Sequence, residues 1–315
     1  MVGASKESCG TLETMSWLVV GGGGQLGRAI SLVLSERDID YQAWGSKELD
    51  IRDDALCLER IGELVPAVVI NAAAWTDVDG AESDFRGANL VNAFGSRNLA
   101  VAAKATGAIF THISTDYVFS GVSAIPWQED ELQSAVSVYG KTKAAGEQGV
   151  LDAYAEHSYI FRTAWLYSRW GKNFAKTMTR LALTGADEVK VVGDQIGQPT
   201  FAIDLANQIV DSVLAELPFG IYHGTNSGEA SWFDFACEIF QLSDAEVTRV
   251  VTADSSSFIR PAKRPAYSVL GHEGWSRLGK DGEIVPEMRD WKIALREAMP
   301  AILTEVRADG GTIGN

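Results

Sequence analysis

Two residues four apart in the stretch VYGKTKAAGE, Tyr139 and Lys143, carry side chains suited to proton transfer. On a helix, residues four apart project from the same face, so the phenol and the ammonium group would lie together. Upstream, the segment HISTDYVFSG ends an apolar run with the hydroxyl side chains of Ser114 and Thr115. We expect Thr115 to orient a carbonyl group, Tyr139 to donate a proton and Lys143 to lower the pKa of the phenol. These residue types together predict a site that reduces a carbonyl group.

The glycine-rich stretch VVGGGGQLGR indicates what binds beside that site. Gly22, Gly24 and Gly27 fit the spacing G-x-G-x-x-G, whereas Gly21, Gly24 and Gly27 fit G-x-x-G-x-x-G. An apolar run precedes the glycines and a helical apolar pattern follows them, which is the strand-turn-helix context that nucleotide binding requires. Backbone amides at such a turn approach a pyrophosphate at the helix N-terminus. A tyrosine–lysine pair on a helix usually just lies on a solvated face. Its position after a glycine turn and a Ser-Thr strand end favours a catalytic role instead.

Apolar strands alternate with helical patterns of roughly 15 residues, which predicts an α/β fold with a Rossmann-like, doubly wound parallel sheet. The ends of its strands face the ligand crevice. From Trp165 onward, turn-forming segments such as GQPT and RPAKRPAYS separate the helices. We therefore expect a dinucleotide-binding domain over residues 16–165, and a smaller substrate-binding domain over 166–315 from which some elements return to the main sheet. The strands are predicted at residues 18–20, 41–44, 67–74, 108–114 and 159–165.

Composition excludes several classes of function. The chain has 315 residues and a net charge of −15, from 27 basic and 42 acidic residues. Nucleic-acid binding needs a basic stripe, so an anionic ligand would depend on a few local cations. Three scattered cysteines (Cys9, Cys57 and Cys237) lack metal-ligand spacing, which predicts no metal site and favours a reducing cytoplasm. No apolar run reaches the length of about 18 residues that a membrane span needs. Residues 1–15 are expected to be a disordered tail without a signal sequence, and Met15 is an alternative start.

The tyrosine–lysine pair behind a glycine turn resembles the Y-x-x-x-K signature of the extended short-chain dehydrogenase/reductase family. That resemblance selects the register Gly21, Gly24 and Gly27. Over roughly residues 17–270, the stretches GGGGQLG, STDYVFSG, YGKTKAAGE, RTAWLYS, DQIGQPT and RPAYSVL are similar to the reductases of dTDP-4-dehydrorhamnose within that family. The resemblance implies NAD(P)H-dependent reduction of dTDP-4-dehydro-β-L-rhamnose to dTDP-L-rhamnose. Related 4,6-dehydratases carry Thr-Asp-Glu where this chain has Thr-Asp-Tyr, which favours reduction over elimination of water.

The resemblance also implies which residues contact the two ligands. Several of these residues have a plain structural explanation as well: a helix-starting acid, a core isoleucine, tightly packed alanines, a core tryptophan or a surface arginine before proline. The cofactor would be bound by Gly21, Gly24, Gln25, Leu26, Gly27, Asp50, Ile51, Ala72, Ala73, Ala74, Tyr139 and Lys143. The substrate would be bound by Thr115, Asp116, Tyr117, Trp165, Asn173, Gln198 and Arg264.

The second predicted strand bears on the choice of cofactor. Folds that prefer NAD place an acidic residue about 20 residues beyond the glycines, where it binds the ribose hydroxyls. Here the strand ends AWGSK, with no acid before Glu48, so Ser46 and Lys47 are expected to hold a 2′-phosphate. The sequence therefore favours NADPH, with NADH as the alternative. A homodimer would not be of the metal-bridged type described for some relatives, because Ala29 stands where their acidic ligand lies.

Two other functions stay open at this point. One is a reductase or epimerase that acts on a different nucleotide sugar. The second is a non-catalytic binding role, because the regulatory β subunit of methionine adenosyltransferase shares this fold. The presence of Thr115, Tyr139 and Lys143 favours an enzyme.

Overall fold

The computed structural model describes residue 12, residues 15–185 and residues 187–311. The tail predicted over residues 1–15 lies outside the described part, apart from residues 12 and 15, and so does Cys9. The strands of the described residues, β1 to β12 in chain order, are Trp17–Val20, Tyr41–Trp44, Val68–Asn71, Ile109–Thr115, Ser158–Thr163, Leu166–Tyr167, Val189–Val192, Ile196–Gly197, Thr200–Phe201, Gly220–His223, Ala230–Ser231 and Val250–Ala253.

The α-helices, α1 to α10, surround these strands. Helices α4 and α5 are joined by a π-helical turn over Leu90–Gly95. In chain order the α-helices are Gln25–Glu36, Asp54–Leu64, Val78–Ser83, Phe85–Asn89, Ser96–Thr106, Val138–Tyr154, Phe174–Thr184, Ala202–Leu214, Trp232–Leu242 and Trp291–Gly311.

Six strands form the central sheet, in the order β10-β5-β4-β3-β1-β2, and all of its pairs are parallel. Strands β1 and β3 are buried along their whole length, as expected where helices cover both faces of a parallel sheet. This architecture confirms the predicted fold class. The strand order changes direction around β1 and β3, and the carboxyl ends of strands at such a switch point form the usual ligand crevice.

Elements from both halves of the chain contribute to the main sheet. β10 pairs with β5, and apolar residues of α8 such as Leu205 and Ile209 share a buried core with Ile30 and Val33 of α1. A separate apolar core joins α7, α9 and α10, with Phe235 and Leu295 fully buried in it. The domain boundary at residue 165 stays a prediction. β10, from the second half of the chain, pairs with β5 in the main sheet. No helix in the described ranges is long and apolar enough to span a membrane.

The glycine turn between β1 and α1 is packed too tightly for side chains at three positions, including Gly22, where a Cβ atom would lie 2.7 Å from Ala43 Cβ. Gly21 has φ +84°, and a Cβ atom there would lie 2.5 Å from the Ala73 amide nitrogen. A Cβ atom on Gly27 would lie 2.3 Å from the Gly21 carbonyl oxygen. Within the run of four glycines, Gly21 alone has a positive φ. This geometry favours the register that starts at Gly21.

Replacing Gly27 therefore tests the turn. Helix propensity alone would make Gly27→Ala stabilising by about 1 kcal/mol. The contact with the Gly21 carbonyl reverses the sign, and we expect a loss of about 1–3 kcal/mol in the free energy of unfolding. Gly23→Ala is the matched control, because no atom lies within 4 Å of the added Cβ. Urea unfolding that gave equal stabilities for the two variants would contradict this packing.

Candidate active site

A cavity of about 650 Å³ lies at the carboxyl ends of β1, β3, β4 and β5. Its position at the switch point is that of a ligand site in a doubly wound sheet. The lining brings together thirteen of the residues predicted from the sequence. The predicted residues in the lining are Gly24, Gln25, Leu26, Ala72, Ala73, Ala74, Thr115, Asp116, Tyr117, Tyr139, Lys143, Trp165 and Asn173.

One end of the cavity fits a dinucleotide. Gly24 is the N-cap of α1 and makes no side-chain capping hydrogen bond, while the first amides of any α-helix lack partners within the helix. Gly21 and Gly27 leave the turn without side chains, and Ala72 to Ala74 keep the facing strand end small. The close approach of backbone and the free amides suit a pyrophosphate group.

Tyr139 stands in the first turn of α6 and is partly buried. Its ring meets the ring of Tyr117 edge-on, with 5.6 Å between the centroids. Burial raises the pKa of Tyr139 to about 12, against a hydrogen bond with Thr115 that lowers it. The phenol is therefore protonated at neutral pH and available as a proton donor.

Lys143 lies one turn further along α6 and is fully buried. Its Nζ donates a hydrogen bond to the Ile113 carbonyl at 2.5 Å and lies 3.4 Å from Nε2 of His112. Burial lowers the pKa of Lys143 to about 8, opposed by the charge of Glu147. Burial of the phenol dominates its pKa and raises it, and the lowering effect of Lys143 on that pKa stays a prediction.

The Thr-Asp-Tyr segment follows β4 directly into a 3₁₀ turn over Asp116–Val118. Thr115 Oγ1 donates to Asp116 Oδ1 at 2.9 Å and accepts from the Tyr117 amide at 3.3 Å. Asp116 is 2% exposed, and burial raises its pKa to about 6, against hydrogen bonds from Ser268 and Thr115. The strand end thus presents a hydroxyl and a weakly acidic carboxyl group to the cavity.

The far wall is tied to the glycine turn by hydrogen bonds. Gln25 Oε1 accepts from Asn173 Nδ2 at 2.8 Å and from Ser168 Oγ at 3.1 Å, and Asn173 also caps α7 through the Lys176 amide. Gln25 and Asn173 therefore line the cavity and also tie its far wall to the glycine turn. They have structural roles beside any role in binding.

Two stacked tryptophans complete this wall. Trp165, which has φ +45°, lies 3.5 Å from Trp232 between ring centroids, at an angle of 9°. Sequence reasoning missed Trp232 and also missed Lys172, which lines the cavity as well. The one local signal for Trp232 is the capping box of Ser231 and Asp234, which marks the start of α9 but not what it faces.

Apart from Gly21 and Gly27 of the glycine turn, six predicted site residues do not line the cavity, and five of them have the following contacts. Ser46 and Lys47 are exposed in the turn after β2, and Asp50 forms an ion pair with Arg52 at 2.7 Å. Ile51 is buried in the core, and Gln198 Oε1 accepts from the Leu270 amide at 2.8 Å and from Thr225 at 3.0 Å. The contacts of Ile51 and Gln198 are those of structural residues, and the ligand contacts of all five stay predictions.

Arg264, the sixth such residue, is already paired with a carboxylate. Its Nη2 lies 2.9 Å from Asp79 Oδ2, and Arg260 reaches the same oxygen at 3.4 Å. Asp79 follows Val78, which lines the cavity. An anionic ligand that binds Arg264 would therefore compete with Asp79 for the guanidinium group.

Behind the cavity lies a fully buried ion pair that sequence reasoning also missed. Arg162 of β5 and Glu147 of α6 are 2.8 Å apart, with side chains 2% and 0% exposed. Ser114 Oγ and Gln133 Nε2 donate to the same carboxylate, and Arg162 Nη1 donates to the Glu129 carbonyl at 3.1 Å. The pair connects β4, β5 and α6, which carry the hydroxyl, phenol and amine groups.

Comparison with known proteins gives consistent matches. The family model described as "RmlD substrate binding domain" matches residues 15–303. A dTDP-4-dehydrorhamnose reductase of Streptomyces griseus is 44% identical over 290 residues, which are 91% of this chain and 93% of that protein. A probable dTDP-4,6-dihydroxy-2-methyloxan-3-one 4-ketoreductase of Streptomyces antibioticus is 42% identical over 92% of this chain and 96% of its own. The crystal structure of a Bacillus anthracis dTDP-4-dehydrorhamnose reductase in complex with NADP matches with a TM-score of 0.85 at 34% sequence identity. The match covers 91% of this chain and 99% of that chain.

The buried carboxyl group of Asp116 predicts a pH-dependent stability. Because its pKa is raised to about 6 in the folded chain, ionisation is disfavoured there, and the free energy of unfolding falls as pH rises between the unfolded and folded pKa values. The loss approaches roughly 3 kcal/mol by pH 7, and Asp116→Asn should remove it.

The control is Asp254→Asn, because a hydrogen bond from Ser256 lowers the pKa of this exposed aspartate. That variant should keep the wild-type slope of stability between about pH 5 and pH 7. Denaturant unfolding across this pH range measures the slope of stability for Asp116→Asn and for Asp254→Asn. An Asp116→Asn variant with the wild-type slope would show that Asp116 is not the group that titrates.

Proposed function

The chain belongs to the family of the RmlD substrate binding domain, and we therefore propose that it is an NADPH-dependent reductase of dTDP-4-dehydro-β-L-rhamnose that forms dTDP-L-rhamnose. One observation carries the proposal. Tyr139, Thr115 and Lys143 line the same cavity as the free helix N-terminus behind Gly24. The names of the two Streptomyces relatives describe a reductase and a probable 4-ketoreductase of dTDP-linked keto compounds, which supports the same class of reaction.

The residues of the chain supply the acid and the orientation for this reaction. NADPH, when bound beside the glycine turn, would supply the hydride for the carbonyl carbon. Thr115 Oγ1 orients the carbonyl oxygen once its hydrogen turns from Asp116 Oδ1 to the substrate. Tyr139 donates its proton to that oxygen as negative charge develops there. The raised pKa of Tyr139 keeps the proton on the phenol until the oxygen becomes basic enough to take it. Lys143 lies within the same wall and is expected to reach the cofactor ribose.

The glycine turn and its surroundings support NADPH as the cofactor. A related structure contains NADP, and the small residues Ala72 to Ala74 leave space beside the turn. Ser46 and Lys47 are exposed after β2, where a 2′-phosphate would lie. Glu48, the first acid beyond that strand, accepts a hydrogen bond from the Gly45 amide at 2.8 Å and is thereby engaged within the turn.

Other parts of the proposal concern setting and assembly. Cys57 and Cys237 are free thiols, which suits a cytoplasmic enzyme. We expect that a homodimer would not be bridged by a metal at α1, because the Ala29 side chain there is a buried methyl group, which cannot ligate a metal.

A second candidate is reduction of another dTDP-linked 4-keto-6-deoxy sugar. The 42% identity to the S. antibioticus ketoreductase, close to the 44% identity to the S. griseus reductase, favours keeping it. The two candidates share the acid and the cofactor and differ in how the wall of Trp165 and Trp232 meets the sugar.

The test is turnover with a panel of 4-keto nucleotide sugars, with NADPH and with NADH. We expect the highest kcat/KM with dTDP-4-dehydrorhamnose and NADPH. A higher value for another dTDP sugar would favour the second candidate. Binding of nucleotide without oxidation of either cofactor would favour a non-catalytic role.

Removing the proposed acid should abolish most of the chemistry. We expect Tyr139→Phe to lower kcat by roughly 10²–10⁴-fold, the usual scale for general acid catalysis, with little change in the Kd for NADPH. Tyr41→Phe is the control, because that phenol is hydrogen-bonded to Ser35 on the surface. Steady-state kinetics and a cofactor titration measure the two effects. If Tyr139→Phe kept half of the activity, the proton donor would be another group.

The pairing of Arg264 with Asp79 predicts opposite effects of two variants on dTDP binding. Arg264→Ala should weaken binding by about 1.5–3 kcal/mol, the scale for a hydrogen bond to a charged group, and Arg264→Lys should restore only part of it because lysine lacks the bidentate fork. Asp79→Asn should tighten binding by roughly threefold to tenfold, since the competing carboxylate is gone.

Calorimetric titration of dTDP measures these changes, and NADPH titration of the same variants reports damage to the fold. Equal dTDP affinities in wild type and Arg264→Ala would place the diphosphate elsewhere. Weaker binding by Asp79→Asn would mean that Asp79 holds Arg264 in place for the ligand and does not compete with it.

A further inference from the structure

A short loop from the second half of the chain lies beside the glycine turn. It covers residues 168–173, between β6 and α7, and three of its residues (Gly171, Lys172 and Asn173) line the cavity. A Cβ atom on Gly171 would lie 3.0 Å from Cγ of Gln25, the first residue of α1. The loop therefore packs against the N-terminus of α1, which lines the same cavity with Gly24.

The backbone of this loop is fixed on both sides of Lys172. Asn173 Nδ2 donates to Gln25 Oε1 at 2.8 Å and to the Ser168 carbonyl at 2.7 Å. On the other side, Gly171 has φ +67°, a turn conformation that side chains other than glycine rarely adopt. Because the neighbours of Lys172 are held against α1, only its side chain has to become ordered when it binds a ligand.

Lys172 differs from the other charged side chains at the cavity. Among the described residues of the lining, the acidic and basic side chains are those of Asp116, Lys143 and Lys172. Lys143 is fully buried and donates to the Ile113 carbonyl, whereas Lys172 is exposed and forms no ion pair with a described residue. Lys172 is therefore the exposed cation that this part of the lining offers to an anionic ligand.

A dinucleotide needs such a cation, because it brings a doubly negative diphosphate to the end of α1. A helix N-terminus offers the equivalent of roughly half a positive charge, and the chain as a whole has a net charge of −15. An ammonium group beside the helix end would pair directly with a phosphate oxygen. We propose that Lys172 binds the diphosphate of the nicotinamide cofactor from the side opposite the glycine turn.

This inference rests on the proposed function, since it takes the ligand to be a nicotinamide dinucleotide. The cofactor's 2′-phosphate is a different anion, expected at Ser46 and Lys47, which do not line the cavity. The diphosphate of the dTDP sugar is a third, and Arg264 is proposed for it. The contact of the loop with Gln25 favours the cofactor diphosphate over both.

Titration of NADPH and NADH against wild type and Lys172→Ala tests the assignment. The two cofactors share the diphosphate and differ in the 2′-phosphate. Lys172→Ala should raise both Kd values by a similar factor, about fivefold to thirtyfold, because a charge-assisted hydrogen bond is lost. Lys172→Arg should keep most of the affinity, since it keeps the charge. A loss confined to NADPH would place Lys172 at the 2′-phosphate and overturn the proposal.

Arg169→Ala is the matched control, because it removes a positive charge from the same loop. The Arg169 guanidinium lies over the ring of Trp170, 4.7 Å from its centroid, and Arg169 is not among the lining residues. Its Kd values for both cofactors should stay within about twofold of wild type, as expected for an exposed charge that is screened by salt. A loss as large as that of Lys172→Ala would mean that the charge of the loop acts at long range, without a direct contact.

Titration of dTDP separates the cofactor from the sugar nucleotide. Lys172→Ala should leave the Kd for dTDP near the wild-type value, and a larger loss for dTDP than for NADH would assign Lys172 to the sugar nucleotide. Equal cofactor affinities in wild type and Lys172→Ala, with normal turnover, would contradict the role of Lys172 alone. A wild-type protein that binds neither NADPH nor NADH would instead contradict the proposed function, so the two failures are distinguishable.

Discussion

A buried ion pair between Glu147 and Arg162 is the constraint on which the rest of the site depends. Both side chains are removed from solvent, and removing one partner of such a pair would leave an uncompensated charge at a cost of about 3–5 kcal/mol. Their remaining hydrogen-bonding groups are satisfied by Ser114, Gln133 and the Glu129 carbonyl. Because the pair joins β4, β5 and α6, the strand end with the hydroxyl group and the helix with the phenol and the amine are held in one register.

Burial also determines the pKa values of the ionisable side chains at the cavity. It raises the pKa of Tyr139 to about 12 and of Asp116 to about 6, and it lowers the pKa of Lys143 to about 8. All three shifts favour the neutral form of the side chain, as desolvation does in general. At neutral pH the phenol of Tyr139 therefore stays protonated, which suits a reaction in which negative charge develops on the substrate oxygen, since a preorganised donor is then most effective.

Local patterns predicted the parts of this site that depend on short spacing. The i to i+4 relation of Tyr139 and Lys143 and the strand-turn-helix context of the glycines placed the proposed acid and the proposed pyrophosphate turn at one cavity. The parallel sheet followed from strand alternation. Contacts distant along the chain were out of reach: Trp232 joins the wall by stacking on Trp165, and Asp79 meets Arg264 across 185 positions. The raised pKa of Tyr139 comes from burial, which no motif records, and the predicted effect of Lys143 on that pKa stays a prediction. Ile51 and Gln198 have the contacts of core residues, and their predicted roles in binding remain predictions.

The most direct test of the proposed reduction follows the hydrogen itself. Turnover of dTDP-4-dehydrorhamnose with NADPH deuterated at nicotinamide C4, on the face that is transferred, should give dTDP-rhamnose with one deuterium on sugar C4, while the hydrogen added to oxygen comes from solvent through Tyr139. Mass spectrometry and proton NMR of the product measure the content and position of the label. The two faces of nicotinamide C4 are labelled in separate experiments. The account predicts deuterium at sugar C4 with one of the two labelled cofactors. A product without deuterium from either label, or with deuterium at another carbon, would contradict it.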